Sequence, residues 1–157
     1  MGEKIVKKIK NSDDKKIYID QLLKDIETLE LMLNKGLFSA KPIHVGAEQE
    51  FCLVDESWDP SDLGCEILKE IDDDHFTSEL NKYNLELNLD PIKLGGSCFS
   101  ELHKQLNTLM VVAKDAAAKH KAKVILTGIL PTISHKYLQY DYMTPVDRYK
   151  ILNEAIQ

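Results

Sequence analysis

Arginine is nearly missing from this sequence: nineteen of its 20 cationic residues are lysine, and Arg148 stands alone. Positive charge is also in deficit, with 26 acidic residues and a formal net charge of −6. The basic face expected of a nucleic-acid binder is therefore absent, and the lysine clusters are confined to the N-terminal arm. No apolar run approaches the ~20 residues that a membrane span needs. The opening MGEKIVKKIKNSDDKK is basic but leads into no apolar core, which argues against a secretory signal and predicts a cytoplasmic address. Cysteine is scarce and odd in number. Cys52, Cys65 and Cys98 fit neither a disulfide framework nor a CxxC metal site, and each reads as a small, partly buried hydrophobe. There is no internal repeat, low-complexity tract or interdomain linker. What remains is an ordinary composition, 43% apolar and 29% charged over 157 residues, enough for one domain with a real core.

Periodicity supplies the elements. From Asp13 to Lys35, apolar residues from Ile17 to Leu33 recur at helical spacing, and Gly36 closes the helix. Residues 43–54 (IHVGAEQEFCLV) read as a strand and 55–60 as a loop holding the lone Trp58. Residues 62–71 read as a short helix capped by Asp62. The segment 83–89 (YNLELNL) alternates cleanly as a strand and ends at Asp90-Pro91. After the Gly95-Gly96 turn, a helix is predicted over 98–120. Ser97 or Ser100 caps it, and Phe99, Leu102, Leu106, Leu109, Met110, Ala113 and Ala117 form its apolar stripe. Residues 122–130 read as a third strand, and a last helix starts at Pro145 and is still in pattern at Gln157. The expected organisation is an N-terminal arm and helix over 1–42, followed over 43–157 by a domain that stops in mid-pattern.

Chemistry enters when the strands are divided by parity, because successive strand side chains point to opposite faces. One face of the first strand carries His44, Gly46, Glu48, Glu50 and Cys52; the other carries Val45, Ala47, Gln49, Phe51 and Leu53. In the second strand Asn84, Glu86, Asn88 and Asp90 share one face, and Leu85, Leu87 and Leu89 share the other. If the two strands pair, Glu48, Glu50 and Glu86 lie on one surface. Glutamates at i and i+2 sit roughly 6–7 Å apart, a spacing that suits ligands of neighbouring divalent ions. Like charges so close repel unless a cation intervenes, and ligands that are all oxygen point to Mg²⁺ or Mn²⁺ rather than zinc. Alternating acids on a solvated sheet face give the same pattern. Such a face more often mixes signs, however, and no lysine is interleaved here.

Five segments, taken together and in order, resemble one family. HVGAEQEFCLVD, SELNKYNLELNLDP, GGSCFSELHKQL, VILTGILPTI and MTPVDRYKILNEAI are similar to glutamate–cysteine ligase family 2, the bacterial carboxylate–amine ligases of the glutamine synthetase-like superfamily. The likeness covers about residues 43–157 and implies that this stretch is the N-terminal portion of a ligase catalytic domain cut short.

This resemblance implies an α+β fold, in which a curved antiparallel sheet packs helices on one face and gathers Mg²⁺ (or Mn²⁺) ions around ATP on the other. It implies an enzyme that makes an amide at the γ-carboxylate of glutamate through an acyl phosphate. The partners would be small molecules: glutamate or a similar carboxylate, an amine and ATP, with neither nucleic acid nor membrane and with room for a homo-oligomer. By motif, Glu48 and Glu50 match one pair of metal ligands, and Glu79 and Glu86 match a second. Glu79 is reached through the resemblance alone. Arg148 is the candidate to fork onto a substrate carboxylate or phosphate, against pairing with Asp147 or Glu154 on a helix surface. Asn84 and Asn88, with Tyr83, either shape the cofactor site and bridge metal-bound waters or serve packing. His135 either faces the site or is merely exposed. Two other readings keep the acidic sheet: a phosphotransferase on the same fold, and a non-catalytic module that binds metal or nucleotide.

Overall fold

The computed structural model describes residues 6–39 and 41–156. Its first helix, α1 (Ser12–Asn34), begins where the Asn11 side chain accepts the Asp14 amide at 2.8 Å. It ends in a paired turn: Gly36, at φ +64°, donates its amide to the Leu33 carbonyl, and Leu37 donates to Met32. A glycine suits that left-handed position after a helix because it has no Cβ to clash. No residue of α1 is buried.

The strand expected over 43–54 is two strands, β1 (His44–Val45) and β2 (Glu48–Val54). Both run antiparallel to the later chain, β1 to β5 (Ile92–Lys93) and β2 to β4 (Asn84–Asn88). Between the two ladders, residues 46–47 face residues 89–91, so the returning strand carries one extra residue. Pro91 lies in that bulge, where its missing amide hydrogen costs no ladder bond. A short strand that the sequence reading missed, β3 (Phe76–Ser78), pairs with the outer side of β4. The main sheet is completed by β6 (Lys123–Ile125), giving the order β3-β4-β2-β6, antiparallel throughout. Of the predicted strand 122–130, only these three residues pair. Beyond Ile125 the chain leaves the sheet, and the Thr127 hydroxyl turns back to the Ile129 carbonyl.

Helices α2 (Gly64–Ile71) and α3 (Cys98–Lys119) cover one face of this sheet. Odd-numbered strand residues Phe51, Leu53, Leu85 and Leu87 meet Ile67, Leu102, Met110, Ala113 and Ala117 there, all buried. The small alanines let α3 lie close to the strands. The expected stripe is right except for Phe99, which is 69% exposed on the first turn. Asp62 does not cap α2: Leu63 holds the cap position without a side-chain bond. The helix start is fixed instead by backbone, with the Gly64 amide on the Lys82 carbonyl at 3.0 Å. A Cβ on Gly64 would stand 2.2 Å from that oxygen, so only glycine fits.

The last helix, α4 (Asp147–Ile156), is delivered by residues 142–144. Lys82 donates to the Tyr142 carbonyl, Thr144 donates to Leu80, and Asn81 bridges Met143. The described residues thus form an α+β fold with antiparallel sheets and four helices. No helix among them is long and apolar enough to cross a membrane.

Candidate metal centre

The second face of the main sheet carries the even-numbered residues, and its two halves differ. Toward β6 it is apolar. Cys52 and Val54 are covered by Tyr83, Leu130 and Tyr137, with the Tyr83 hydroxyl donating to the Tyr137 carbonyl. Tyr83 therefore belongs to packing. Burial pushes the Cys52 thiol up, with Glu50 adding to the effect.

Toward β3 the face is acidic. The β2–β4 register sets Glu50 opposite Glu86 and Glu48 opposite Asn88, and β3 adds Thr77 opposite Glu86. Glu79 follows just beyond β3, its amide donating to the Asn84 carbonyl at 3.3 Å. One carboxylate oxygen from each of Glu50, Glu79 and Glu86 lies within 4.8 Å of the others. Glu48, one pair further along, is not part of that group but lines, together with Glu79 and Glu86, a hollow of about 450 Å³. Glu48, Glu50 and Glu86, grouped by parity alone, do share a surface.

Several contacts hold this arrangement. Asn88 donates its side-chain amide to Glu86 Oε1 at 2.8 Å, which fixes the carboxylate on its own strand face. The Thr144 hydroxyl, on a buried residue, donates to the Glu79 carbonyl, so the bridge from 142–144 pins the backbone that presents Glu79. Burial pushes the Glu79 carboxyl above its ordinary range, and the Glu86 and Glu50 carboxylates push it further. Among the described residues no lysine, arginine or histidine pairs with any of these four glutamates.

Three convergent carboxylates without a partner cation, all oxygen donors, are a donor set for a hard divalent ion. Such a group costs stability by mutual repulsion unless it is neutralised. A further sign lies two residues from Glu86 on β4: the Asn84 side-chain oxygen is buried and has no hydrogen-bond partner among the described residues. A buried polar atom left unpaired is uncommon in folded proteins.

Helix α4 closes the other side of the hollow with Val146, Arg148, Tyr149 and Leu152. Arg148 lies over the Tyr149 ring, 5.8 Å from its centroid. Among the described residues it has no salt-bridge partner, and Glu154, one of its two conceivable partners on the helix, is taken by Lys8 at 2.6 Å. Tyr149 is the site residue the sequence reading missed. Burial raises its hydroxyl pKa and Glu79 raises it further, which places it beside the acids. Its signal was available, since it follows Arg148 directly in TPVDRY. His135 lies elsewhere: it is exposed in a 3-10 turn, faces Gln139 at 3.1 Å and does not line the hollow.

A sequence profile of glutamate-cysteine ligase family 2 matches residues 44–157. No curated protein and no solved structure matches the chain.

Proposed function

The chain belongs to glutamate-cysteine ligase family 2, and from that premise we propose that its acidic hollow serves an ATP- and Mg²⁺-dependent carboxylate–amine ligase acting on glutamate's γ-carboxylate. Membership in the family carries the ligase-like class of activity. The observation that carries the finer reading is the convergence of Glu50, Glu79 and Glu86 within 4.8 Å with no ion pair to a lysine, arginine or histidine among the described residues.

In this reading Glu50, Glu79 and Glu86 hold Mg²⁺ or Mn²⁺, with Glu48 as a further ligand at the rim. Bound ions would supply charge neutralisation to the phosphates of ATP. Asn88 keeps Glu86 oriented, as the residue behind a metal ligand commonly does. Asn84, with its unpaired oxygen, accepts from a metal-bound water or from the nucleotide. Arg148 forks onto the glutamate α-carboxylate or a phosphate oxygen, and Tyr149 walls the hollow beside it.

Two steps complete the chemistry. A γ-carboxylate oxygen attacks the γ-phosphorus and ADP leaves, giving an acyl phosphate. The amine nitrogen then attacks the acyl carbon, phosphate leaves, and the nitrogen gives up a proton. Water must be kept from the acyl phosphate meanwhile, a role suited to α4 over the hollow.

The test is ATP turnover with Mg²⁺, glutamate and a panel of amino acids and amines, with products identified by mass spectrometry. ADP release that needs both glutamate and an amine, together with a new amide, is the expected result. A stable phosphorylated substrate would reassign the site to phosphotransfer. Tight Mg²⁺ and nucleotide binding without any turnover would leave a binding module.

A further inference from the structure

Helix α1 raises a different question, independent of the hollow. Its 23 residues contain no buried side chain, yet much of its surface is apolar. An isolated helix of this length is marginal in water, and a helix with so broad an apolar surface is normally covered.

The spacing indicates what covers it. Ile19, Leu22, Ile26, Leu29 and Leu33 follow one another at steps of three and four without a break, and each is between 43% and 62% exposed. In the first turn Ser12 and Lys15 hold the a and d positions of a heptad repeat, and from Ile19 to Leu33 each a and d is isoleucine or leucine. That is the seam by which one helix packs its knobs into the holes of another. Tyr18 and Met32 flank the seam at g, and Leu23 at e. Asp20, Gln21, Lys24, Glu27 and Thr28 occupy the outer side, where Ile17 and Leu31 are the two apolar exceptions, both at f. The side-chain tie between this end of the chain and the sheet body, among the described residues, is Lys8 to Glu154, which leaves the seam open.

We propose that α1 pairs with α1 of a second copy, and that the two helices run antiparallel. Charge decides the direction, because residues at e and g set orientation. In a parallel pair, g meets the following e of the partner. Asp25 would then face Glu30 twice, and Lys15, at d, would stack on its own copy. In an antiparallel pair, e meets e and g meets g. Lys16 then faces Glu30 at both ends, Tyr18 faces Met32, and Leu23 meets its own copy at the centre. Ile19 packs against Leu29 and Leu22 against Ile26, while Lys15 lies beside Leu33. One like-charged contact, Asp25 with its copy, remains at the exposed edge.

Sedimentation equilibrium of the full 157-residue chain tests this directly. The expected mass is twice the 17.9 kDa of one chain, and Ile26→Lys should return it to a single chain. Glu30→Lys should weaken association roughly two- to fourfold, the scale of two exposed ion pairs, and Lys16→Glu combined with Glu30→Lys should restore it. Leu23→Cys should give a disulfide-linked dimer under mild oxidation where the native chain gives none, since Leu23 meets its own copy. A chain that is monomeric at about 100 µM, where even a weak pair should form, overturns the proposal. So does a dimer that Ile26→Lys leaves intact. A dimer in which Ile26→Cys crosslinks and Leu23→Cys does not overturns the antiparallel direction.

Discussion

Residues 86 and 87 are neighbours on β4, and the two faces they serve are built on opposite principles. On the odd face Leu85 and Leu87 are at most 1% exposed and pack under α2 and α3, with every apolar position filled. On the even face Glu86 stands among Glu50 and Glu79 with no ion pair among the described residues, and burial raises the cost of charging Glu79. One face is organised for folding. The other retains mutual repulsion among its carboxylates, which the proposed divalent ion would relieve.

Substitutions at the two positions should therefore diverge in sign. Leu87→Ala should cost about 2–5 kcal/mol, as a fully buried leucine truncated in a packed core does. A urea midpoint measures it, and Mg²⁺ affinity of the remaining folded chain should not change. Gly64→Ala comes next, because the new methyl must displace the Lys82 carbonyl from α2's start. A loss of about 1–3 kcal/mol, the scale of overpacking, is expected in the same titration. Glu86→Gln should do the reverse, raising the midpoint slightly in metal-free buffer while lowering Mg²⁺ affinity at least about tenfold by calorimetry. If Glu86→Gln destabilised the metal-free chain as Leu87→Ala does, the contrast between the faces would collapse and the acids would be structural.

How much of this was legible depended on whether local pattern or long-range placement decided each feature. Strict alternation through YNLELNL fixed which β4 side chains look which way, so Glu48, Glu50 and Glu86 could be put on one surface before any fold was known. Glu79 could not be reached by parity. Its position follows from the tight return after β3, and β3 is a three-residue strand inside DDDHFTSE, too short and acidic to carry a period. Tyr149 was hidden for another reason. Only the tie of Tyr142, Met143 and Thr144 to residues 80–82 swings α4 across the hollow. Helical spacing identified α1 but says nothing of what a helix packs against, and Phe99 shows the same limit inside α3. The run AKVILTGIL overstated β6 because apolar character marks burial, and Leu130 is buried in the cover over Cys52 rather than in the ladder.

The smallest effects lie in the pH dependence of β3, which serves both faces. Before it, His75 donates Nδ1–H to Asp73 at 2.7 Å and lies 3.3 Å from Asp90 through Nε2. Both contacts are hydrogen bonds only when the ring is protonated. The hydrogen bond with Asp73, followed by that with Asp90, raises the His75 pKa. A raised histidine stabilises the fold fully below its unfolded value of about 6.5, and that contribution is lost as pH climbs through the folded value. Glu79 is also raised, but as a carboxyl. Without metal its penalty is absent below about 4.3 and grows as pH climbs from there through the folded value. Metal-free stability should thus decline with rising pH in two separate windows. His75→Gln should erase the upper one and Glu79→Gln the lower. Magnesium should flatten only the lower window, because it competes with the proton for Glu79 and not for His75. Thermal melts across pH 4 to 9, with and without Mg²⁺, measure all of this. A magnesium effect confined to the His75 window would place the ion away from the three glutamates.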